Sequence, residues 1–435
     1  MKIAVIGSGV SGLGAAWALS RTHDVTVFEA GRSLGGHANT ATVTDGDRVV
    51  PVDTGFIVYN ERNYPNLVRL FRALDVRTEA SDMSFSVSVD HGAFEYQARA
   101  TGLLAQPSNL VRPSYLRMAA EIVRFTREAK ALAGSGAAGS TAEFLERGGY
   151  SRAFRDDFLL PMVACIWSSR LDQMLSYPAA TMAAFLDNHG LLDLRDRPQW
   201  RTVAGGSREY VRRIEAGLAD VRLRTPVASV LRIPDGVVVR TAGAGERFDH
   251  VVMATHADTT LQLLGADASA DERSVLSAFR YQENRAVLHR DPSLMPVRRR
   301  AWSSWNYLAQ GRHTPDTERR VSLTYWMNRL QNLRTDRPVL VTLNPTHEPR
   351  DAVAETVYHH PQYDGDAVEA QRRIHALQGV DRTWFAGSYT GFGFHEDGLR
   401  SGLRVAAALG SPAPWWRDEI EHSTPDERQP VTIGG

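Results

Sequence analysis

The feature that most constrains this chain is its opening segment, KIAVIGSGVSGLGAAWALSR. Residues 2–6 are an apolar run of the length and type that fits a fully buried parallel strand. GSGVSG follows at once, placing glycines at Gly7, Gly9 and Gly12, and the run from Ser11 predicts a helix whose small residues allow close packing on a sheet. In that order, the helix amino terminus and its unpaired N–H groups point at the turn. A pyrophosphate is favoured there, and a side chain at Gly9 would block its approach. The next apolar strand, DVTVFEA, ends at Glu29 and Ala30, with Glu29 twenty residues after Gly9. A carboxylate at that point accepts hydrogen bonds from both ribose hydroxyls and disfavours a 2′-phosphate. A glycine triplet alone is common in structural turns, but its place between strand and helix, with the acid at the right distance, predicts a dinucleotide site. NAD and FAD both satisfy this much.

Composition narrows the partners. Fifty basic residues balance fifty acidic ones over 435 residues, so there is no excess charge of the kind that drives nucleic-acid binding. The single cysteine, Cys165, makes no internal disulfide, zinc cluster or iron–sulfur site, and no metal site is expected. The chain starts on a strand pattern without a leader-like stretch, and no run approaches the roughly 18–20 apolar residues of a membrane span. A cytoplasmic protein is the expectation. Lysine occurs at Lys2 and Lys130 alone, so lysine chemistry is nearly absent.

The segment after the ribose acid distinguishes the two dinucleotides. GRSLGGHANT supplies Arg32, Gly35, Gly36 and His37, and this second glycine pair resembles the pattern of the flavin-dependent amine oxidase and phytoene desaturase superfamily. The resemblance extends to three distant places. VDTGFIVYN, with Asp53 and Gly55, is similar to the stretch that returns toward the flavin; LRTPVASVLR is similar to the strand whose valine, here Val227, meets the adenine through its backbone. TWFAGSYTGFGFHEDGLRSGLRVAAAL resembles the closing FAD motif. It implies that Gly387 and Ser388 lie near the ribityl chain, with Ser388 where many relatives carry an acid. It also implies that a helix beginning near Gly398 and Leu399 aims its N–H groups at the flavin pyrimidine. FAD is therefore the implied cofactor. No second glycine-rich strand-to-helix unit follows residue 40, so no separate NAD(P)H site is expected.

The implied fold class is α/β: a Rossmann-like FAD-binding domain of the glutathione-reductase-like GR2 type with an inserted α+β substrate domain. The expected boundaries are 1–80, 203–270 and 380–412 for the FAD-binding domain, 81–202 and 271–379 for the substrate domain, and 413–435 for a polar tail. Apolar residues recur at helical spacing from about Arg99 to Asn188, as in SYLRMAAEIVRFTREAKALA, and short β-prone runs occupy Arg285 to Asn344.

FAD itself carries the hydride chemistry, so the protein must supply a lining and a means of moving protons. Trp302, Trp305, Tyr307, Tyr325 and Trp326 fall on the predicted sheet, with Phe392 and Phe394 in the terminal loop; each is either cavity lining or ordinary core. His395, Tyr389 and Glu396 are the candidate catalytic residues, whereas Asp397 reads as a helix cap and His256 as a turn residue. Cys165 reads as a buried, inert thiol. Amine oxidation in the superfamily commonly uses a lysine beside the flavin, and neither lysine here matches it by position. The reading therefore favours dehydrogenation of a hydrophobic substrate, with an amine oxidase and a redox-neutral isomerase as alternatives. GGHANT together with SYTGFGFHEDGLRSG is especially similar to bacterial flavoproteins associated with enzymes that methylate or cyclopropanate membrane fatty acids, which implies a lipid acyl substrate. The arginine-rich stretch at 112–127 is compatible with transient contact with a membrane surface or with a plain solvated face.

Overall fold

The opening segment folds as β1 (Lys2–Ile6), a glycine turn, α1 (Val10–Leu19) and β2 (Asp24–Phe28). The computed structural model describes residues 1–98, 102–133, 135, 138–167, 171–193, 197–311 and 320–416. β1 lies in the middle of a five-stranded parallel sheet, ordered Asp220–Arg222, β2, β1, His250–Met253, Thr383–Phe385. Ile3, Ala4 and Val5 are wholly buried, as a strand covered on both faces requires. A three-stranded antiparallel meander, from Val227 to Phe248, lies in the chain between the strand at 220–222 and the strand at 250–253.

The remaining helices that matter to the site are α2 (Pro65–Ala73), α3 (Pro113–Ala133), α4 (Leu160–Trp167) and α5 (His395–Ala408). α5 lies against α1, and the contact is very close. A Cβ added at Gly402 would stand 2.1 Å from the Ser11 carbonyl oxygen, and one at Gly14 would stand 2.5 Å from the Leu399 side chain. Within the turn itself, a Cβ at Gly12 would stand 1.9 Å from the Gly7 carbonyl oxygen, so Gly12 serves the packing of helix on strand.

A second sheet has seven strands, ordered Ala354–Gln362, Arg280–His289, Leu340–Leu343, Arg320–Trp326, Trp305–Gln310, Phe85–Val89, Phe94–Gln97. Its pairings are antiparallel except between Trp305–Gln310 and Phe85–Val89. Helices α3, α4 and Ala179–Asn188 accompany it, and one continuous buried cluster links Ala4 and Phe28 of the parallel sheet to Phe125, Val163 and Phe185 of those helices.

Two expectations change. The polar tail does not begin at 413: Ala413 is buried, and the Trp415 ring stacks on Trp17 at 5.4 Å while its Nε1 donates to Asn66 Oδ1. Residues 417–435 lie outside the described residues. The final helix begins at His395, three residues ahead of Gly398. Among the described residues no helix is long and apolar enough to cross a membrane.

Candidate active site

A cavity of about 1270 Å³ is lined by the β1–α1 turn and β2 in one part, and by α3, α4 and the seven-stranded sheet in another. Single-ligand pockets typically occupy about 300–1,000 Å³, so this volume accommodates a large cofactor with a second molecule beside it.

Gly7, Gly9, Ser11, Glu29 and Ala30 line the first part. A Cβ at Gly9 would meet nothing within 4 Å, and no side chain caps α1, so its first N–H groups face open space. That is the arrangement an anionic group requires. Glu29 sits at the adjoining wall; its carboxylate accepts from Ser8 N, Ser8 Oγ and Gly31 N, which fixes its position at the end of β2. Thr225, Pro226 and Val227 form the neighbouring wall. An uncapped helix end, an open glycine and an anchored acid together fit a dinucleotide.

Several residues singled out in the sequence stand elsewhere. Arg32 is exposed and off the lining, so its charge is spent on solvent. Gly35 is buried under the turn, where a Cβ would strike Ala38 O at 2.5 Å. Gly12, Gly398 and Leu399 also leave the lining. A Cβ at Gly398 would meet Val10 and Ser11 at 2.8 and 2.9 Å, and Leu399 is fully buried against Gly14. Gly12 packs on the strand side of the turn, Gly398 and Leu399 seat α5 on α1, and the residues at the head of α5 that reach the cavity are Phe394 and His395. Gly36, His37, Gly55, Gly387 and Ser388 do line it.

His37 belongs to a group that sequence patterns did not disclose. His256, His359 and His360 line the same cavity, with ring centroids 5.4 Å from His37 to His360 and 6.1 Å from His256 to His359. His256, in the turn that follows the His250–Met253 strand, is also a wall residue, stacked on Tyr281 at 4.4 Å. Asn284 Nδ2 and His360 Nδ1 are 2.8 Å apart. Burial pushes His360 down to about 4, helped by His256 and His359, and burial likewise holds His37 well below its usual value. Adjacent histidines on a strand such as Tyr358–His359–His360 carry no motif, which is why spacing alone does not find them.

The three catalytic candidates separate. His395 lines the cavity, stacks on Phe56 at 3.8 Å and hydrogen-bonds Tyr210 Oη through Nε2 at 2.7 Å. Burial pushes it down to about 3, so it is neutral and a weak base. Tyr389 also lines the cavity; burial raises its phenol, and its hydroxyl is buried with no hydrogen-bond partner among the described residues. Glu396 does not line it. Its carboxylate accepts from Asn66 N, Asn66 Nδ2 and Leu67 N at 2.9, 2.9 and 3.0 Å, capping the start of α2 from another part of the chain. Asp397 accepts from Phe394 N at 3.0 Å, at the head of its own helix.

The second part of the cavity is apolar. α3 contributes Ala119, Ile122, Val123, Phe125 and Thr126, α4 contributes Met162, Cys165 and Ile166, and Met83, Phe85, Phe158 and Leu192 are among the other lining residues. Burial raises the Cys165 thiol well above its ordinary value, consistent with an inert lining group. Of the sheet aromatics, Trp305 and Tyr325 line the cavity, as do Phe392 and Phe394. Trp302 and Trp326 pack instead on each other with Met295 and Leu340, and Tyr307 is core.

A five-stranded parallel sheet with a turn that fits a dinucleotide, beside a large and partly apolar chamber, is the architecture of a cofactor-dependent α/β enzyme. Residues 10–283 match the family model for flavin containing amine oxidoreductase, which is well over half of the chain. The chain belongs to this family; it is an FAD-dependent oxidoreductase. Among solved structures, it is similar to cyclohexylamine oxidase from Brevibacterium oxydans IH-35A (TM-score 0.68, 19% identity, covering 94% of this chain and 98% of that one). It is also similar to a fatty acid isomerase from P. acnes that produces CLA (0.65, 16%, 94% and 98%) and to putrescine oxidase (0.65, 16%, 94% and 99%). These likenesses are of fold. No curated protein matches the sequence significantly.

Proposed function

We propose that the protein dehydrogenates a hydrophobic, lipid-like substrate held in the apolar part of the cavity, with the cradle built on Gly9, Glu29 and Val227 holding FAD in the GR2 manner. The observation that carries this reading is the chamber itself: α3 and α4, with Met83, Phe85, Trp305 and Tyr325, line it mainly with hydrocarbon and aromatic side chains. When bound, FAD supplies the hydride acceptor, and the second hydrogen leaves the substrate as a proton. The chain's own residues exclude water and orient the substrate. His395, neutral and tied to Tyr210, and Tyr389, with its free hydroxyl, are polar groups on the cavity lining that support this reading.

A lysine-dependent amine oxidation finds no support here. Lys2 pairs with Glu246 at 2.7 Å and Lys130 with Asp193 at 2.6 Å, and neither lines the cavity. The test is anaerobic mixing of the yellow protein with fatty acyl lipids, polyenes and amines while flavin absorbance is followed. Bleaching by a lipid or polyene, and not by amines, is expected. Bleaching by amines, with peroxide released in air, overturns the reading in favour of an amine oxidase. Anaerobic conversion of a lipid without lasting bleaching overturns it in favour of an isomerase.

A further inference from the structure

Large apolar side chains are exposed at thirteen described positions, and five of them, Leu104, Leu110, Val111, Leu116 and Val123, fall in one short stretch. Val111 is 82% exposed, and Leu104 and Leu116 are each 51% exposed. An isolated exposed apolar residue needs no explanation, but a concentration of them marks an interaction surface.

The helical register of α3 shows how this surface relates to the cavity. Leu116, Ala120 and Val123 are spaced i, i+4, i+7 and form one exposed stripe continuing to Arg127. Turning one way around the helix leads to Ala119, Ile122 and Thr126, which line the apolar chamber, and Val123 belongs to both the stripe and the lining. Turning the other way leads to Arg117 and Arg124. Val123 is both exposed and on the lining, so the apolar stripe adjoins the chamber on one side and the guanidinium groups of Arg117 and Arg124 on the other.

Charge distinguishes the occupants. From 104 to 133 the chain carries Arg112, Arg117, Arg124, Arg127 and Lys130 against Glu121 and Glu128, although the whole chain is neutral. Arg117 pairs with Glu121 at 3.0 Å, Arg124 with Glu128 at 3.6 Å and Lys130 with Asp193 at 2.6 Å, which leaves Arg112 and Arg127 as the cations of this stretch without an acidic partner among the described residues. An apolar stripe flanked by cations complements an anionic lipid leaflet, in which hydrocarbon lies just below negative headgroups. We propose that this face, Leu104 to Arg127, docks on an anionic bilayer and delivers an acyl chain from it into the chamber through the gap beside Val123. The delivery step rests on the lipid-substrate reading above; the docking does not.

The flavin-loaded protein is sedimented with vesicles of phosphatidylcholine alone and of phosphatidylcholine mixed with phosphatidylglycerol. Binding to the mixed vesicles that weakens as salt is raised is expected, with little binding to the neutral ones. V111S/L116S, whose two positions lie off the cavity lining, is expected to bind at least roughly tenfold more weakly with unchanged flavin absorbance, as is R127E. Flavin content and light scattering on each variant establish that it is folded, and V353S, at another exposed valine, is expected to bind as wild type. Failure of the wild type to sediment with the mixed vesicles overturns the proposal, as does V111S/L116S binding like wild type. A wild-type dimer that V111S/L116S converts to monomer, without vesicle binding, assigns the face to a second copy and also overturns it. Vesicle binding without flavin bleaching by any lipid leaves docking standing and removes the dehydrogenase reading.

Discussion

Replacing Glu396 separates a structural carboxylate from a catalytic one. The side chain is 7% exposed and satisfies three N–H donors at the start of α2: Asn66 N, Asn66 Nδ2 and Leu67 N. Glu396→Ala leaves all three buried donors without an acceptor. At about 1–3 kcal/mol for each unsatisfied group, and allowing for partial relaxation and water entry, the loss is about 3–5 kcal/mol. Glu396→Gln keeps an amide oxygen where Oε1 stands, preserving the two bonds to Asn66, and turns its NH2 toward Leu67 N. The expected loss is about 1–2 kcal/mol. The ranking does not depend on the ionisation of Glu396, which burial raises to about 7, because acid and carboxylate both offer acceptor oxygens there. The assay is urea unfolding of the flavin-loaded protein, followed by flavin fluorescence, together with stopped-flow flavin reduction normalised to bound flavin. Wild type, Gln and Ala are expected to fall in that order of stability, with the reduction rate per bound flavin within about twofold for the Gln variant. A Gln variant as stable as wild type that has lost most of its reduction rate would refute the structural assignment and restore Glu396 as a proton carrier.

Acid lability follows from the buried histidines. His189, His289 and His360 are held at about 4 and His395 at about 3, all lowered chiefly by burial, so the unfolded chain takes up protons first. Their stability contribution is complete above about pH 6.5 and is lost as pH falls toward 4, each adding up to about 1.4 kcal/mol per pH unit. Asp53 and Glu396, raised to about 6 and about 7, act oppositely and reduce the net slope. Urea midpoints between pH 5 and 7.5 check this, and His360→Asn is expected to flatten the curve. Gly402→Ala, whose Cβ would collide with the Ser11 carbonyl, is expected to give insoluble or flavin-free protein, whereas Gly9→Ala, with open space at its Cβ, is expected to fold but retain little FAD; soluble yield and flavin-to-protein ratio distinguish them. Ala119→Phe narrows the apolar chamber, so bleaching by long-chain substrates should disappear while the flavin spectrum and reduction by dithionite stay unchanged. Loss of dithionite reduction as well would mean that the flavin itself had been displaced.

What the sequence determined was local. A buried strand, a glycine turn and a small-residue helix are specified by neighbours within twenty residues, and so is the distance from Gly9 to Glu29. The helical spacing of 113–133 likewise announced α3, because amphipathic period depends on adjacent turns alone. Contacts between distant segments were beyond its reach. Glu396 and His395 are neighbours in the chain, yet one meets Asn66 and the other meets Tyr210, and those partners assign one carboxylate to a helix end and one imidazole to the cavity wall. His359 and His360 acquire meaning when the Ala354–Gln362 strand brings them to His37 and His256. Trp302 and Trp305 are equivalent in composition, and the packing of the sheet sends one into a tryptophan pair and the other to the chamber. The physical reason is the same in each case. Backbone period and turn chemistry act over a few residues, whereas a side chain's protonation and role depend on the donors, charges and solvent that the completed fold places around it.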